Sequence, residues 1–303
     1  MSARAGREAS PLPPGLYVVA TPIGNLGDIT LRALEVLRGV DRIACEDTRQ
    51  TQKLLNHFGI AVPTVSCHEH NERERAAELI AAIRSGARIA LVSDAGTPGV
   101  SDPGHWLVSE ATATGVRVVP IPGASAVVTA LAGAGFASGE FQFIGFLPEK
   151  AGARRTRLEA LRDEVQASEW PRTIIFYEAP HRILQTLGDL EAVFGAGTRI
   201  VVARELTKLH EEFLRGTAGE VKRELEARDR IRGEFTVLFE ARARGVEAQV
   251  DQTIREGVAE RVSRMQREDG IDEKDALKVL ARELGRSKSE LYRELQRERA
   301  RRR

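Results

Sequence analysis

From Gly15 to about Arg242, short apolar runs alternate with segments of helical period. Residues 16–21, 42–46, 64–68, 89–94 and 117–120 are brief and rich in Val and Ile, which predicts strands. Residues 30–38, 48–58, 72–84 and 105–114 place apolar side chains at helical spacing between them. Strand and helix in this rhythm predict βαβ units and a mainly parallel sheet, because parallel neighbours need a long crossover. A further helix is predicted over 125–132, after the Pro122-Gly123 break.

A second block starts near Phe141. Strands are predicted at 141–147, 173–178, 200–206 and 235–241, and helices at 154–166, 181–194 and 218–228. The wider strand spacing predicts a mixed sheet, with a hairpin entry to the last strand at Gly233-Glu234. The Gly/Ala/Ser stretch 133–139 separates the blocks. Beyond Arg242 the strand signals stop. Residues 250–300 hold helical patterns broken at 269–272 and 285–287. Residues 272–284, the turn Gly285-Arg286, and 287–296 with Ser287 as N-cap predict a helix-turn-helix. Ala276, Leu277, Leu280 and Ala281 share one face, and Leu291 and Leu295 lie four apart. The expected organisation is a disordered tail (1–14), two α/β domains (15–137 and 138–243) and a basic helical domain (244–303).

The 303 residues suit two domains with a small third, and 42% hydrophobic with 29% charged residues excludes general disorder. No apolar run approaches the ~18 residues of a membrane span, and the first fourteen residues lack a signal peptide's apolar stretch. Cys45 and Cys67 are the two cysteines and form no CxxC, which argues against a disulfide scaffold or a cysteine zinc site. A reducing, cytoplasmic setting is expected. The formal net charge of +1 argues against a nucleic-acid-coating protein. Its distribution is uneven: residues 1–240 hold 28 basic against 31 acidic side chains, and residues 241–303 hold 17 against 13. The last twenty carry 8 basic and 3 acidic side chains. A polyanionic partner at that end and a merely solvated helix both fit this charge.

Four loops after predicted strands stand out: 21–28, 93–104, 120–126 and 178–182. Gly and Pro there fix sharp turns and let backbone approach a ligand, and in α/β sheets ligands bind beyond the carboxyl ends of strands. GxGxxG before a helix, GxxxxGK[ST] and GxSxG are all missing, which argues against dinucleotide, P-loop and nucleophile-elbow chemistry. In Cys67-His68-Glu69-His70 the two histidines would share a strand face. No third ligand stands at a recognisable spacing, so no metal is expected and substrate contact or hydrogen bonding is preferred.

Eight segments in one order, 17–26 (YVVATPIGNL), 44–48 (ACEDT), 93–104 (SDAGTPGVSDPG), 122–125 (PGAS), 145–148 (GFLP), 176–182 (FYEAPHR), 204–208 (RELTK) and 233–235 (GEF), carry a resemblance. The chain resembles the tetrapyrrole-methylase superfamily, and within it the bacterial ribosomal RNA small-subunit methyltransferase I branch, over about residues 15–296. The resemblance implies two α/β domains with a cofactor cleft between them, usually in a homodimer. It implies transfer of a methyl group from S-adenosylmethionine to a cytidine ribose 2′-oxygen in the decoding region of 16S rRNA, with the 30S subunit as partner and no membrane.

Carried over motif by motif, it implies cofactor contacts from Thr21, Pro22 and Gly24, from Asp94, Ala95, Gly96, Thr97 and Val100, and from Ala124 and Ser125. From the second block it implies Tyr177, Leu206, Gly233, Glu234, Phe235 and Thr236, with a plain core role competing for Leu206 and Phe235. Glu46, Asp47, Glu178 and His181 are the candidates to assist deprotonation of the acceptor, although Asp47 and Glu178 could equally cap helices. No single base is identified. Arg49, Lys53, Arg182, Arg204 and Lys208 are the candidates for phosphate contacts, with His68 and His70 beside the acceptor. Two other functions compete. A methylase acting on a small tetrapyrrole would not need the basic tail. A non-catalytic ribosome assembly factor would leave the Gly/Pro loops unexplained.

Overall fold

The computed structural model describes residues 12–68, 71–136, 139–168, 171–241, 258–268, 270–283 and 286–301. His70, most of the expected N-terminal tail and the expected domain joints near 137 and 243 lie outside the described residues.

The first sheet contains β1 (Gly15–Val19), β2 (Arg42–Cys45), β3 (Thr64–Ser66), β4 (Arg88–Leu91) and β5 (Val118–Ile121), in the order β3-β2-β4-β1-β5. Every pair is parallel. The crossovers are α1 (Leu31–Gly39), α2 (Thr48–His57), α3 (Glu72–Arg84) and α4 (His105–Ala113). Alternate strand residues feed opposite faces. Ile43, Ala90 and Val92 pack with Leu34, Leu37 and Leu55 of α1 and α2. Ala44, Ile89 and Leu91 pack with Leu79, Ile80, Ile83 and Leu107 of α3 and α4. Period-two alternation under two helical layers explains why these strands read as nearly continuous apolar runs.

The strand order decides where the loops go. β4, β1 and β5 are neighbours, so loops 93–104, 21–28 and 120–126 leave one sheet edge side by side. β2 pairs with β4 on the other side and brings Glu46 and Asp47 to the same edge.

The second sheet contains β6 (Phe141–Phe146), β7 (Arg172–Glu178), β8 (Arg199–Arg204), β9 (Glu212–Thr217) and β10 (Phe235–Ala241), in the order β6-β7-β10-β8-β9. β6 and β7 are parallel and the other pairs antiparallel, so the sheet is mixed, as expected. Between its strands run α6 (Ala151–Gln166), α7 (Ile183–Phe194) and α8 (Ala218–Glu226). The hairpin differs from expectation. It joins β8 to β9, whereas β10 arrives after α8 and inserts antiparallel between β7 and β8. The apolar pattern does not predict β9, because as an edge strand it fully buries Leu214 alone.

One further helix, α5 (Ala126–Ala134), follows the first sheet but packs on the second. Val127, Ala130, Leu131 and Ala134 share a core with Ile175, Val201, Ala203 and Leu238. That packing helps hold both sheets in one compact unit, residues 1–163 with 172–241.

Residues 164–171 with 242–303 form a second unit. Its described helices are α9 (Val258–Glu268), α10 (Glu273–Glu283) and α11 (Lys288–Arg301). They have their own core of Val258, Val262, Ala276, Leu277, Leu280, Leu291 and Leu295. The expected Ser287 cap is present as a reciprocal box: Ser287 Oγ accepts from Glu290 N (3.3 Å) and Glu290 Oε2 accepts from Ser287 N (3.0 Å). No described helix is long and apolar enough to cross a membrane.

Candidate functional site

The loops at the first sheet's edge are bonded to one another. Thr21 N donates to Gly96 O (2.8 Å) and Gly96 N donates to Thr21 O (3.1 Å). The buried Thr21 hydroxyl donates to Ser93 O (3.1 Å), and Thr97 Oγ1 donates to Ala124 O (3.4 Å). Gly96 has φ +85° and a Cβ there would stand 3.3 Å from Ile23 Cγ2, so its backbone conformation favours glycine. A Cβ on Gly24 would meet the Lys208 side chain and stand 3.1 Å from Leu206 O, so the β8–β9 loop passes directly over the first loop.

These loops and the second sheet enclose a cavity of about 300 Å³. Of the residues expected at a cofactor, Ala95, Gly96, Thr97, Val100 and Ser125 line it from one side, and Tyr177, Leu206, Glu234, Phe235 and Thr236 from the other. Thr21, Pro22, Gly24, Asp94, Ala124 and Gly233 are not in the lining. Thr21 and Ala124 stand behind it as loop-to-loop anchors, and Gly233 (φ +95°) leaves room for the Glu205 side chain. Leu206 and Phe235 are 6% and 2% exposed and also line the cavity, so core and wall are one role here.

The lining also contains Ile23, Ser101, Asp102, Ala126, Phe146, Ala179 and Pro180, none of them among the residues expected from the sequence. Ser101 and Asp102 sit in the segment 93–104, already singled out as a Gly/Pro loop and as one of the segments that carry the resemblance. The Tyr177 ring meets Phe143 and Phe146 edge-on at 4.9 and 5.5 Å. Ser101 (φ 62°), Glu205 (φ 52°) and Thr207 (φ 65°) are the non-glycine residues with left-handed backbone among the described residues. All three lie in the loops around this cavity, where such strain, about 1–3 kcal/mol each, must be held by surrounding contacts.

The wall carries three carboxylates. Glu178 is occupied: Oε1 accepts from Ala179 N (2.8 Å) and Arg182 Nε (2.8 Å), and Oε2 from Thr186 Oγ1 (2.6 Å). It shapes the 178–182 loop and does not cap the following helix, whose N-cap, Arg182, receives no side-chain capping bond. Glu234 pairs with Lys208 at 3.0 Å. Asp102 belongs to no ion pair among the described residues. Burial pushes its carboxyl up to about 6, with the charges of Glu46 and Asp94 adding and a hydrogen bond from Ser93 opposing. Burial likewise pushes the Tyr177 phenol up to about 12, and the Asp102 charge adds to that shift.

The other candidates are dispersed. Asp47 caps α2 by accepting from Arg49 N at 2.8 Å, and hydrogen bonds from Arg49 hold its carboxyl below the usual range. Glu46 is half-buried at the end of β2, and His181 is exposed and outside the lining. Arg182 is nearly buried against Glu178, Arg204 pairs with Glu212 (2.8 Å), and Lys208 bridges Glu205 (2.8 Å) and Glu234. Those three cations brace loops. Arg49, with its side chain 88% exposed, and Lys53 instead line an open polar groove with Gln52 and Asn56 on one face of α2. His68 is half-buried after β3, and its backbone N–H donates to Asn71 Oδ1 (2.9 Å). No group of three or more His, Cys, Asp and Glu able to hold a metal occurs among the described residues.

The model of the tetrapyrrole (corrin/porphyrin) methylases matches residues 15–222. The chain is 55% identical over 196 residues to the ribosomal RNA small subunit methyltransferase I of Pseudomonas aeruginosa, covering 65% of this chain and 67% of that protein. It is 46% identical over 283 residues to the protein of the same name from Halalkalibacterium halodurans, covering 91% and 93%. In fold it is similar to diphthine synthase, with a TM-score of 0.57 at 17% identity over 74% of this chain and 89% of that one. The methyltransferase CobJ gives a TM-score of 0.55 at 20% identity over 74% and 93%.

Proposed function

Because this chain belongs to the tetrapyrrole (corrin/porphyrin) methylases, we propose that it methylates small-subunit ribosomal RNA with S-adenosylmethionine as donor. The acceptor is the 2′-oxygen of a cytidine ribose in the decoding region. The observation that carries this reading is the likeness to rRNA small-subunit methyltransferase I over nearly the full length of both chains, 91% and 93%.

The cavity suits the donor. Its wall offers loop backbone at Ala95–Thr97 for polar groups and apolar surface at Ile23, Phe146 and Leu206 for the adenosyl moiety. The carboxylates of Asp102 and Glu234 suit a sulfonium cation. When bound, the donor supplies an electrophilic methyl group, and the protein contributes chiefly alignment, worth up to ~7–11 kcal/mol in favourable cases. Thr21, Gly96 and Thr97 fix the loops that do the aligning.

The halves 15–137 and 138–243 would then supply the two walls. Arg49 and Lys53 would take RNA phosphates, and the basic segment 244–303 would add contacts to the subunit. A cytoplasmic homodimer belongs to the same proposal. The deciding experiment is incubation with radiolabelled S-adenosylmethionine and, separately, 30S subunits, free 16S rRNA and a precorrin. Label in a cytidine 2′-O-methyl group of 16S rRNA is expected. Label in the precorrin would support the tetrapyrrole methylase instead, and absence of label anywhere would support the non-catalytic reading.

A further inference from the structure

We propose that Arg73 and Trp106 form a platform on which an unpaired base of the RNA stacks, close to the acceptor nucleotide. This rests on the rRNA methyltransferase reading above and adds a recognition surface to it. The Arg73 guanidinium carbon stands 4.4 Å from the centroid of the Trp106 ring. Both side chains are exposed, Trp106 at 45%. Arg73 forms no ion pair among the described residues, and the indole is the group it is stacked on.

The fold holds this pair firmly and gains little core from it. Arg73 and Trp106 are each the second residue of their helices, α3 and α4. Glu72, immediately before Arg73, accepts at Oε1 from the backbone N–H groups of Gly104, Trp106 and Leu107. One buried carboxylate thus ties the two helix starts together and keeps the guanidinium over the ring. The same bonds occupy the N–H groups at the start of α4, so the surface is not an anion site at a helix end. The helices pack through other residues: Ala76, Leu79, Ile80 and Ile83 of α3 share a core with Leu107 and Ala111 of α4, and Trp106 is not in it. A large aromatic surface left in water without a core role, and framed by polar groups, is a property of binding surfaces.

The pair stands at the carboxyl edge of the first sheet, where α3 follows β3 and α4 follows the loop after β4. That loop lines the cavity through Val100, Ser101 and Asp102 and runs directly into α4. The reach of the chain keeps the Cα atoms of Asp102 and Trp106 within about 14 Å. A base on the platform is therefore close to the nucleotide being methylated. Single-stranded RNA is held by stacking its splayed bases on aromatic rings or on arginine planes. Here the two are combined, because the indole face attracts the guanidinium and both stay open to solvent. His105, also exposed, extends the surface with its ring 6.3 Å from that of Trp106. Glu74 beside Arg73 and Glu110 one turn beyond Trp106 are exposed, so the surface carries no excess positive charge. Its chemistry is stacking, which sets it apart from the phosphate-binding face of α2 with Arg49 and Lys53.

The test measures methylation and binding of 30S subunits, and binding of free 16S rRNA, by full-length wild type, Trp106→Ala, Trp106→Phe, Trp106→Leu and Arg73→Lys. Calorimetry reads donor affinity, which should be unchanged throughout. Trp106→Ala is expected to weaken RNA affinity by about 5–100-fold, the worth of one stacked base. Its KM for 30S subunits should rise in step, with kcat changed by less than about three-fold. Trp106→Phe keeps a π-face and should stay within about three-fold of wild type, whereas Trp106→Leu keeps apolar bulk without that face and should behave like Trp106→Ala. Arg73→Lys keeps the charge without the plane and should lose part of the affinity. The salt slope of binding should stay as in wild type for every variant, because a stacked base releases no counterion.

Trp106→Leu binding as well as Trp106→Phe would reduce the residue to apolar packing and overturn the proposal. That comparison decides the matter even where Trp106→Ala does not fold. A changed oligomeric state in Trp106→Ala would assign the surface to a contact between copies, and a loss on 30S subunits with free 16S rRNA bound as by wild type would assign it to a ribosomal protein. Either result overturns the platform. The rRNA reading fails separately: wild type that labels a precorrin and no RNA removes that reading. Wild type that labels 30S subunits, with Trp106→Ala equal to it in affinity and KM, removes the platform alone.

Discussion

Thr21 and Gly96, 75 residues apart in the chain, exchange both main-chain hydrogen bonds as an isolated antiparallel bridge. The bridge fastens the loop after β1 to the loop after β4, and Gly96 faces the cavity while Thr21 stands behind it. Gly96→Ala puts a Cβ at φ +85° and 3.3 Å from Ile23. We expect it to weaken S-adenosylmethionine binding by about tenfold or more, about 1.4 kcal/mol, with the fold intact. Calorimetry on folded protein checks this, and unchanged affinity would remove the bridge from the donor site.

Glu72 acts at a distance as a helix cap. The N-cap of α4 is Gly104, which has no capping side chain, and Glu72 Oε1 on α3 accepts from Gly104 N (3.0 Å), Trp106 N (2.7 Å) and Leu107 N (3.3 Å). The carboxylate is 4% exposed. Glu72→Ala should destabilise by about 2–4 kcal/mol, more than an ordinary cap, because it strands two buried N–H groups and one part-buried one. Glu72→Gln should cost less. Denaturant titration reads both; a loss no larger than an ordinary surface substitution would contradict the capping role.

The raised pKa of Asp102 makes a stability prediction. Its folded pKa of about 6 exceeds the ordinary 3.8, so folding takes up a proton between those values. Stability contributed by this group therefore falls as pH rises from 3.8 through 6, with no penalty below the window and the full penalty above it. Asp102→Asn should be more stable than wild type above that window, by on the order of 1–3 kcal/mol, and equal to it below. Melting curves at a series of pH values test the sign.

Arg49 and Lys53 should affect RNA and leave the donor alone. Both lie on the open face of α2, and neither lines the cavity. Replacing each with Gln should lower affinity for 30S subunits. It should also make the salt dependence shallower, by about one unit of log–log slope for each phosphate no longer neutralised. Equal losses of donor and RNA affinity would move these residues to the donor site.

A chain ending at Ala241 should keep both sheets, since β10 is the last strand and α9–α11 have their own core. It should bind S-adenosylmethionine as before and bind the 30S subunit more weakly, with a smaller salt slope. An unchanged slope with a large fall in melting temperature would assign the helices to stabilising the body.

Much of this was legible along the chain. Strands and helices of the first sheet follow from apolar runs and helical spacing, because buried parallel strands and amphipathic crossovers each leave a local period. The Ser287 cap and the Gly/Pro loops are local too, since turns and caps are made by residues a few positions apart. The family motifs are likewise contiguous segments. Other features depend on partners far away in sequence. The neighbourhood of β4, β1 and β5 that gathers three loops is a matter of strand order, and no local pattern encodes order. β9 buries one residue fully and gets its structure from β8, so its own sequence reads as loop. α5 has an apolar face that suits either sheet, and only packing assigned it to the second. The same holds for charge. Asp102 is one acid among 44 acidic residues in the sequence, and its raised pKa comes from burial and from the charges of Glu46 and Asp94, which only the folded chain brings to it.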